Sequence, residues 1–167
     1  MTDDEFGFPR RQAEVDLEVA PATRALLERN PAMWPRIHSF APAGWDEEIA
    51  DALKAIAHLS TETGVEIRVA QFKSKLAGLR IYLDIDEESA GHMEVVDSTP
   101  ISTRLRASSR PGSVRERATA IIDAAAQRCE TRCELCGGPG VFRHEGGWLS
   151  IACNDHARPD PNAGRAG

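Results

Sequence analysis

The sequence predicts an α+β fold: helices packed on a small antiparallel sheet of two or three strands, with a compact cysteine-rich appendage at the C-terminal end. Three observations predict it. Apolar residues recur at 3, 4 spacing in the first half of the chain and again after residue 113. Between these stretches the period drops to two, the signature of strands with one buried face. Near the end, Cys133, Cys136, Cys153 and His156 form a C-x2-C and a C-x2-H unit with sixteen residues between them.

Each element follows from local chemistry. Residues 1–19 are polar and charged without a sustained period, which predicts a disordered arm. "PATRALLERN" (21–30) is a short helix: Pro21 suits a first helical turn, and Asn30 with Pro31 ends it. The segment 31–45, with three prolines and two tryptophans, is an irregular wrap over a core edge. A longer helix runs from Asp46 to about Thr63, with Ile49, Leu53, Ile56 and Ala57 on one face. Asp46 is its expected cap, Glu47 and Glu48 suit its positive start, and Gly64 stops it.

Alternation then sets in. Val65, Ile67 and Val69 form one strand, and Leu79, Ile81, Leu83 and Ile85 form the next. The link between them predicts an antiparallel hairpin, and Phe72, out of phase, predicts a bulge. "HMEVVD" (92–97) is a third strand. A loop over 98–113 leads to a last helix that opens on a capping box, Ser113 with Glu116, and runs to about Arg128. The α+β domain thus spans 20–130, the appendage 131–157, and a disordered tail 158–167.

Composition narrows the function. The net charge is -6, which argues against a general nucleic-acid coat or an anionic membrane surface. No stretch approaches the roughly 18 apolar residues of a membrane span. The acidic start "MTDDEFGF" lacks the basic region of a secretion signal, so the reading is cytoplasmic. Thiols in that compartment stay reduced, and cysteines read first as metal ligands.

The four-residue constellation predicts one structural zinc ion. Two ligands separated by two residues reach one ion from a tight turn, and Gly137 and Gly138 let that turn close. "GVFRHEGGWLSIA" between the half-sites reads as two strands turning at Gly146-Gly147, which brings the second half-site back beside the first: a zinc ribbon. Four protein ligands fill a tetrahedral site, whereas a catalytic zinc keeps an open position. Cys129 reads as a packing residue and His144 as an exposed strand residue.

Two segments together resemble a family. "QFKSKLAGLRIY" (71–82) is similar to a Q-x-K-E-K-F-G-G-L-R-F-Y segment, and "CELCGGPGVFRHEGGWLSIACNDHA" (133–157) to a C-E-x-C-G-x-P-G…G-W…C-x-x-H ending. Both occur, in that order, in a family of small, mostly uncharacterised bacterial and phage proteins with a C-terminal zinc ribbon. The resemblance covers about residues 45–157 and implies the same ligand set: Cys133, Cys136, Cys153 and His156. It departs at Ser74, Leu76 and Ala77, where the family segment has glutamate, an aromatic residue and glycine.

No nucleophile elbow, phosphate loop, dinucleotide fingerprint or H-E-x-x-H helix is present. Asp84 and Asp86 share a polar strand face and read as a solvated strand end. The expectation is a non-enzymatic zinc-binding protein that acts through a protein partner, for instance as an inhibitor or toxin-immunity protein. The alternative is nucleic-acid binding through the ribbon and Arg104, Arg106, Arg110, Arg115 and Arg117, with Lys73, Lys75 and Arg80 adding phosphate contacts if they share that face.

Overall fold

A computed structural model describes residues 17–86, 94–97, 112–145 and 147–157. The expected arm over residues 1–16, the loop residues 98–111 with Arg104, Arg106 and Arg110, and the expected tail 158–167 lie outside the described residues. The architecture is α+β. In chain order the elements are β1 (Leu17–Glu18), α1 (Pro21–Arg29), β2 (Ser39–Phe40), α2 (Asp46–Thr63), β3 (Ile67–Lys75), β4 (Gly78–Ile85), β5 (Glu94–Asp97), α3 (Val114–Cys129), β6 (Val141–Glu145) and β7 (Trp148–Ala152). Short 3-10 turns occupy Pro31–Met33, Ala43–Trp45 and Asn154–His156.

The central sheet is antiparallel in the order β3-β4-β5. Its inner face carries Ile67, Val69, Phe72, Leu79, Ile81, Leu83 and Ile85, all buried. The phase change is a register shift between Val69 and Gln71, which lets Val69 and Phe72 both face inward. Helices α2 and α3 pack on each other and on this sheet. Ile49, Leu53 and Ile56 of α2 meet Ala118, Ile122 and Ala125 of α3 in one core. Gly64 ends α2 with φ +70°, a conformation that costs glycine little.

Three features differ from the sequence reading. The expected arm takes in residues 17–19, yet Leu17–Glu18 pairs in parallel with Ser39–Phe40, and Leu17 is buried. The Leu17 carbonyl also accepts from Arg24 Nη2 at 3.1 Å, so this strand is held from two sides. Asp46 is not the cap of α2, whose flanking residue is Trp45. Its carboxylate instead accepts from the amides of Ala22 (2.7 Å) and Thr23 (2.8 Å), and so caps α1 from a distant part of the chain. At α3, Ser113 Oγ accepts from the Glu116 amide at 3.1 Å, while the Glu116 carboxylate accepts from Gly112 rather than Ser113.

The hairpin joining β3 and β4 turns on Leu76 and Ala77, with Lys75 paired to Gly78. Both turn residues have positive φ, 54° and 61°. This geometry favours Asn-Gly, because a Cβ in the left-handed region crowds the neighbouring carbonyl. Ala77 stands where the resembling segment has glycine.

Candidate metal centre

Helix α3 delivers the chain to the first half-site. After Cys129 the backbone turns, and the Cys133 amide donates to Gly138 O at 2.8 Å while the Gly137 amide donates to Cys133 O at 2.9 Å. Gly137 sits at φ +72°, which closes this knuckle beneath the sulfurs of Cys133 and Cys136. The ribbon strands β6 and β7 pair in antiparallel register from Val141–Ala152 to Glu145–Trp148. A 3-10 turn over Asn154–His156 then carries the second half-site back to the first, with the His156 amide donating to Cys153 O.

The four predicted ligands converge. One ligand atom from each of Cys133, Cys136, Cys153 and His156 lies within 4.8 Å of all the others, and no other such cluster occurs among the described residues. Cys136 Sγ is 3.9 Å from Cys153 Sγ. His156 Nδ1 lies 3.5 Å from Cys133 Sγ and 3.1 Å from Cys153 Sγ. These residues could hold a metal ion, with His156 binding through Nδ1.

Electrostatics point the same way. Burial pushes the Cys133 thiol up, but hydrogen bonds from the amides of Cys153, Cys136 and Leu135 and from the Cys136 thiol more than offset it, bringing it from 9.0 to about 6. The Gly138 amide pulls Cys136 down, yet the adjacent Cys133 and Cys153 sulfurs outweigh it and raise that thiol. Three sulfurs this close resist sharing negative charge. A cation among them removes that conflict and draws all three into the thiolate form.

The knuckle is seated on the main domain through backbone contacts that sequence reading missed. Gly44 donates its amide to Glu134 O at 2.8 Å, and Trp45 Nε1 donates to Arg132 O at 2.9 Å. A Cβ on Gly44 would stand 2.0 Å from Cys133 O and 2.5 Å from Gly137 N. No side chain fits there. Glu134 ties the knuckle to the ribbon as well: its amide donates to Ile151 O at 2.8 Å and its Oε1 accepts from the Ile151 amide at 3.0 Å. Beneath, the buried carboxylate of Glu48 pairs with Arg128 and with Arg132, the latter at 3.0 Å. Arg132 also reaches Gly137 O at 3.5 Å, and Arg143 reaches Asn154 Oδ1 at 2.8 Å, so both place positive charge beside the half-sites.

The remaining candidates are dispersed. Cys129 is buried in the core, and His144 is exposed on β6. Arg115 is buried, and Arg117 Nη2 binds both carboxylate oxygens of Glu62 at 3.0 Å. Lys73 lies opposite Arg80 across β3 and β4, but Arg80 is buried and Lys73 Nζ sits 5.1 Å over the Tyr82 ring. Asp84 pairs with Arg36 at 3.4 Å, while Asp86 is exposed at the strand end. No described helix is long and apolar enough to cross a membrane. No family model, curated protein or solved structure matches this chain, so the convergence of Cys133, Cys136, Cys153 and His156 is what bears on its function.

Proposed function

We propose that this is a non-enzymatic zinc protein. One ion is held by Cys133, Cys136, Cys153 and His156, and the ribbon serves as a scaffold for binding another protein. The observation that carries the reading is the four-atom cluster. Zinc–sulfur bonds of about 2.3 Å and zinc–nitrogen bonds of about 2.0 Å give tetrahedral edges of roughly 3.8 Å between sulfurs and roughly 3.6 Å between sulfur and nitrogen. The sulfur–sulfur spacing of 3.9 Å and one sulfur–nitrogen spacing of 3.5 Å lie near these, the other sulfur–nitrogen spacing is shorter at 3.1 Å, and all four ligand atoms lie within 4.8 Å of one another. Three thiolates and an imidazole favour zinc over magnesium or calcium, which take oxygen ligands. Four protein ligands leave no position for substrate, hence a structural role.

Partner binding is supported by where apolar surface remains. Leu135, Val141, Phe142 and Trp148 are each more than half exposed, and all four lie between the two ends of the metal site. The register sets Val141 and Trp148 on one face of the ribbon and Phe142 on the other, so the unit offers apolar anchors to a partner that grips it from both sides. An inhibitor, immunity to a toxin being one concrete version, fits the acidic balance and the lack of catalytic motifs, and a cytosolic setting keeps the thiols reduced. The nucleic-acid reading has less support, since Arg115 is buried and Arg117 is engaged by Glu62.

Elemental analysis of protein purified without chelators tests the first part: the expected result is one zinc per chain, and its absence after anaerobic reconstitution rejects the reading. Capture of partners from the source cell by the parent and by a Phe142→Ser/Trp148→Ser variant tests the second. The variant is expected to keep its zinc and lose the partner. Equal capture by both removes the ribbon surface from the proposal.

A further inference from the structure

The four cysteines differ sharply in access. Cys129 and Cys133 are buried, Cys136 is exposed and Cys153 is partly exposed. The two accessible sulfurs are also neighbours, 3.9 Å apart on opposite halves of the site. Cys133, by contrast, lies under the knuckle with its backbone locked to Gly138 and Gly137. An oxidant arriving from solvent therefore meets Cys136 first, with Cys153 already within reach. A disulfide needs the sulfurs to close to about 2.05 Å, a movement of under 2 Å from their 3.9 Å spacing.

We propose that Cys136 and Cys153 are an oxidant-sensitive pair, which hydroperoxide converts to a disulfide with ejection of the metal. The inference rests on the zinc reading above. The Cys136 thiolate attacks one peroxide oxygen; the O–O bond breaks, the sulfur becomes a sulfenic acid, and the departing hydroxide takes a proton to become water. The Cys153 thiolate then attacks that sulfur and displaces its hydroxyl, which leaves as a second water after protonation. In sum, two thiolates, one hydrogen peroxide and two protons give a disulfide and two waters. The sulfurs lose two electrons and the peroxide gains them. Zinc, left with Cys133 and His156 alone, departs as the hydrated ion.

The consequence is graded along the chain. Cys133 belongs to the half of the site seated on Gly44 and Trp45, and it keeps those contacts. Cys136 and Cys153 come one from each half-site, so a bridge between them holds the two halves together. Oxidation thus releases the ion while leaving the ribbon cross-linked and attached.

The test uses the full chain, loaded with zinc and verified by elemental analysis, then exposed to hydrogen peroxide beside a chromogenic zinc indicator. The expected result is one zinc released per chain, an intact mass lower by two hydrogens, and recovery after reductant and zinc are returned. Cleavage after Arg132, Arg143 and Arg165 gives linked peptides 133–143 and 144–165, since the Arg158–Pro159 bond resists trypsin, and fragmentation assigns the bridge to Cys136 rather than Cys133. A Cys129→Ala variant is expected to release zinc at the same rate. Retention of zinc with free thiols in excess peroxide overturns the proposal, and so does a bridge on Cys133 or Cys129. If the preparation takes up no zinc, the zinc reading itself fails. The same mapping on metal-free protein then decides the pair: a 136–153 bridge keeps it, and free thiols dismiss it.

Discussion

Two single residues illustrate how much depends on positions with little side chain or little charge. Gly44 is the point where the main domain touches the knuckle, and a methyl group there would overlap the Cys133 carbonyl at 2.0 Å. Gly44→Ala is expected to destabilise the fold by at least ~3 kcal/mol, because the obstacle is backbone on both sides. Urea unfolding followed by tryptophan fluorescence measures this, and the same variant should bind zinc more weakly in chelator competition. Cys129 makes the second case. Burial, with help from Glu48, pushes its thiol up from 9.0 to about 12. The core therefore holds the neutral form. A raised folded-state pKa contributes stability that is fully present below pH 9 and is lost as pH rises towards 12. The urea midpoint of the parent is expected to fall between pH 9 and 11.5 more steeply than that of Cys129→Ala, and Cys129 should resist alkylation until the chain unfolds. Neither residue's role was equally legible. The sequence reading of Cys129 as a packing residue rests on its place at a helix end. Gly44 carries no local signal at all, since its partner lies some ninety positions away.

Elements show the same division between near and far. Helix α2, the β3–β4 hairpin and the capping of α3 by Ser113 follow from patterns a few residues long; the bounds of α2 match the periodicity, whereas β3 begins at Ile67 rather than Val65 and runs on through the expected link to Lys75. The ribbon is legible for a related reason: its ligands sit in two short units whose spacing limits the geometry. Helix α1 is different, because its N-terminal amides are satisfied by Asp46 of another helix. Sequence proximity assigns Asp46 to α2, and only packing assigns it to α1. Asp46→Ala is expected to cost about 1 kcal/mol, the usual worth of a cap. The loss should appear in hydrogen exchange at Ala22 and Thr23 rather than across α2. The hairpin turn offers the opposite change. Leu76→Asn with Ala77→Gly replaces two left-handed residues by the pair that type I′ turns prefer, and should raise stability by about 1 kcal/mol in denaturant melts. A decrease would mean that packing of the buried Ala77 methyl outweighs the backbone strain.

For the molecule as a whole, the ribbon is fastened rather than appended. Ile151 of β7 belongs to the same buried cluster as the helices, and Glu48 links α2 to Arg128 and Arg132 at the knuckle. On the zinc reading proposed above, stability and metal occupancy are therefore coupled. At free zinc a hundredfold above Kd, mass action adds about 2.7 kcal/mol, which for a domain of this size raises Tm by roughly 5–10 °C. Scanning calorimetry with and without chelator reads this directly; an unchanged Tm would separate the metal from the fold. The sequence places the boundary between domain and ribbon at residues 130 and 131, where the last helix leads into the cysteine segment. Hydrogen bonds run across that point from Gly44 and Trp45.

That seating of residues 44 and 45 on residues 132–137 also sets an order of events during biosynthesis. The Trp45 indole and its acceptor on Arg132 are separated by 87 positions. At about 5–20 residues per second, the ribosome needs on the order of 4–17 s between placing one and the other in the nascent chain. Through that interval Trp45 and Gly44 lack the knuckle that covers them, and the metal has no finished nest to enter. On the zinc reading, maturation therefore ends in a late closure that joins the second half-site and a cation to a segment made long before.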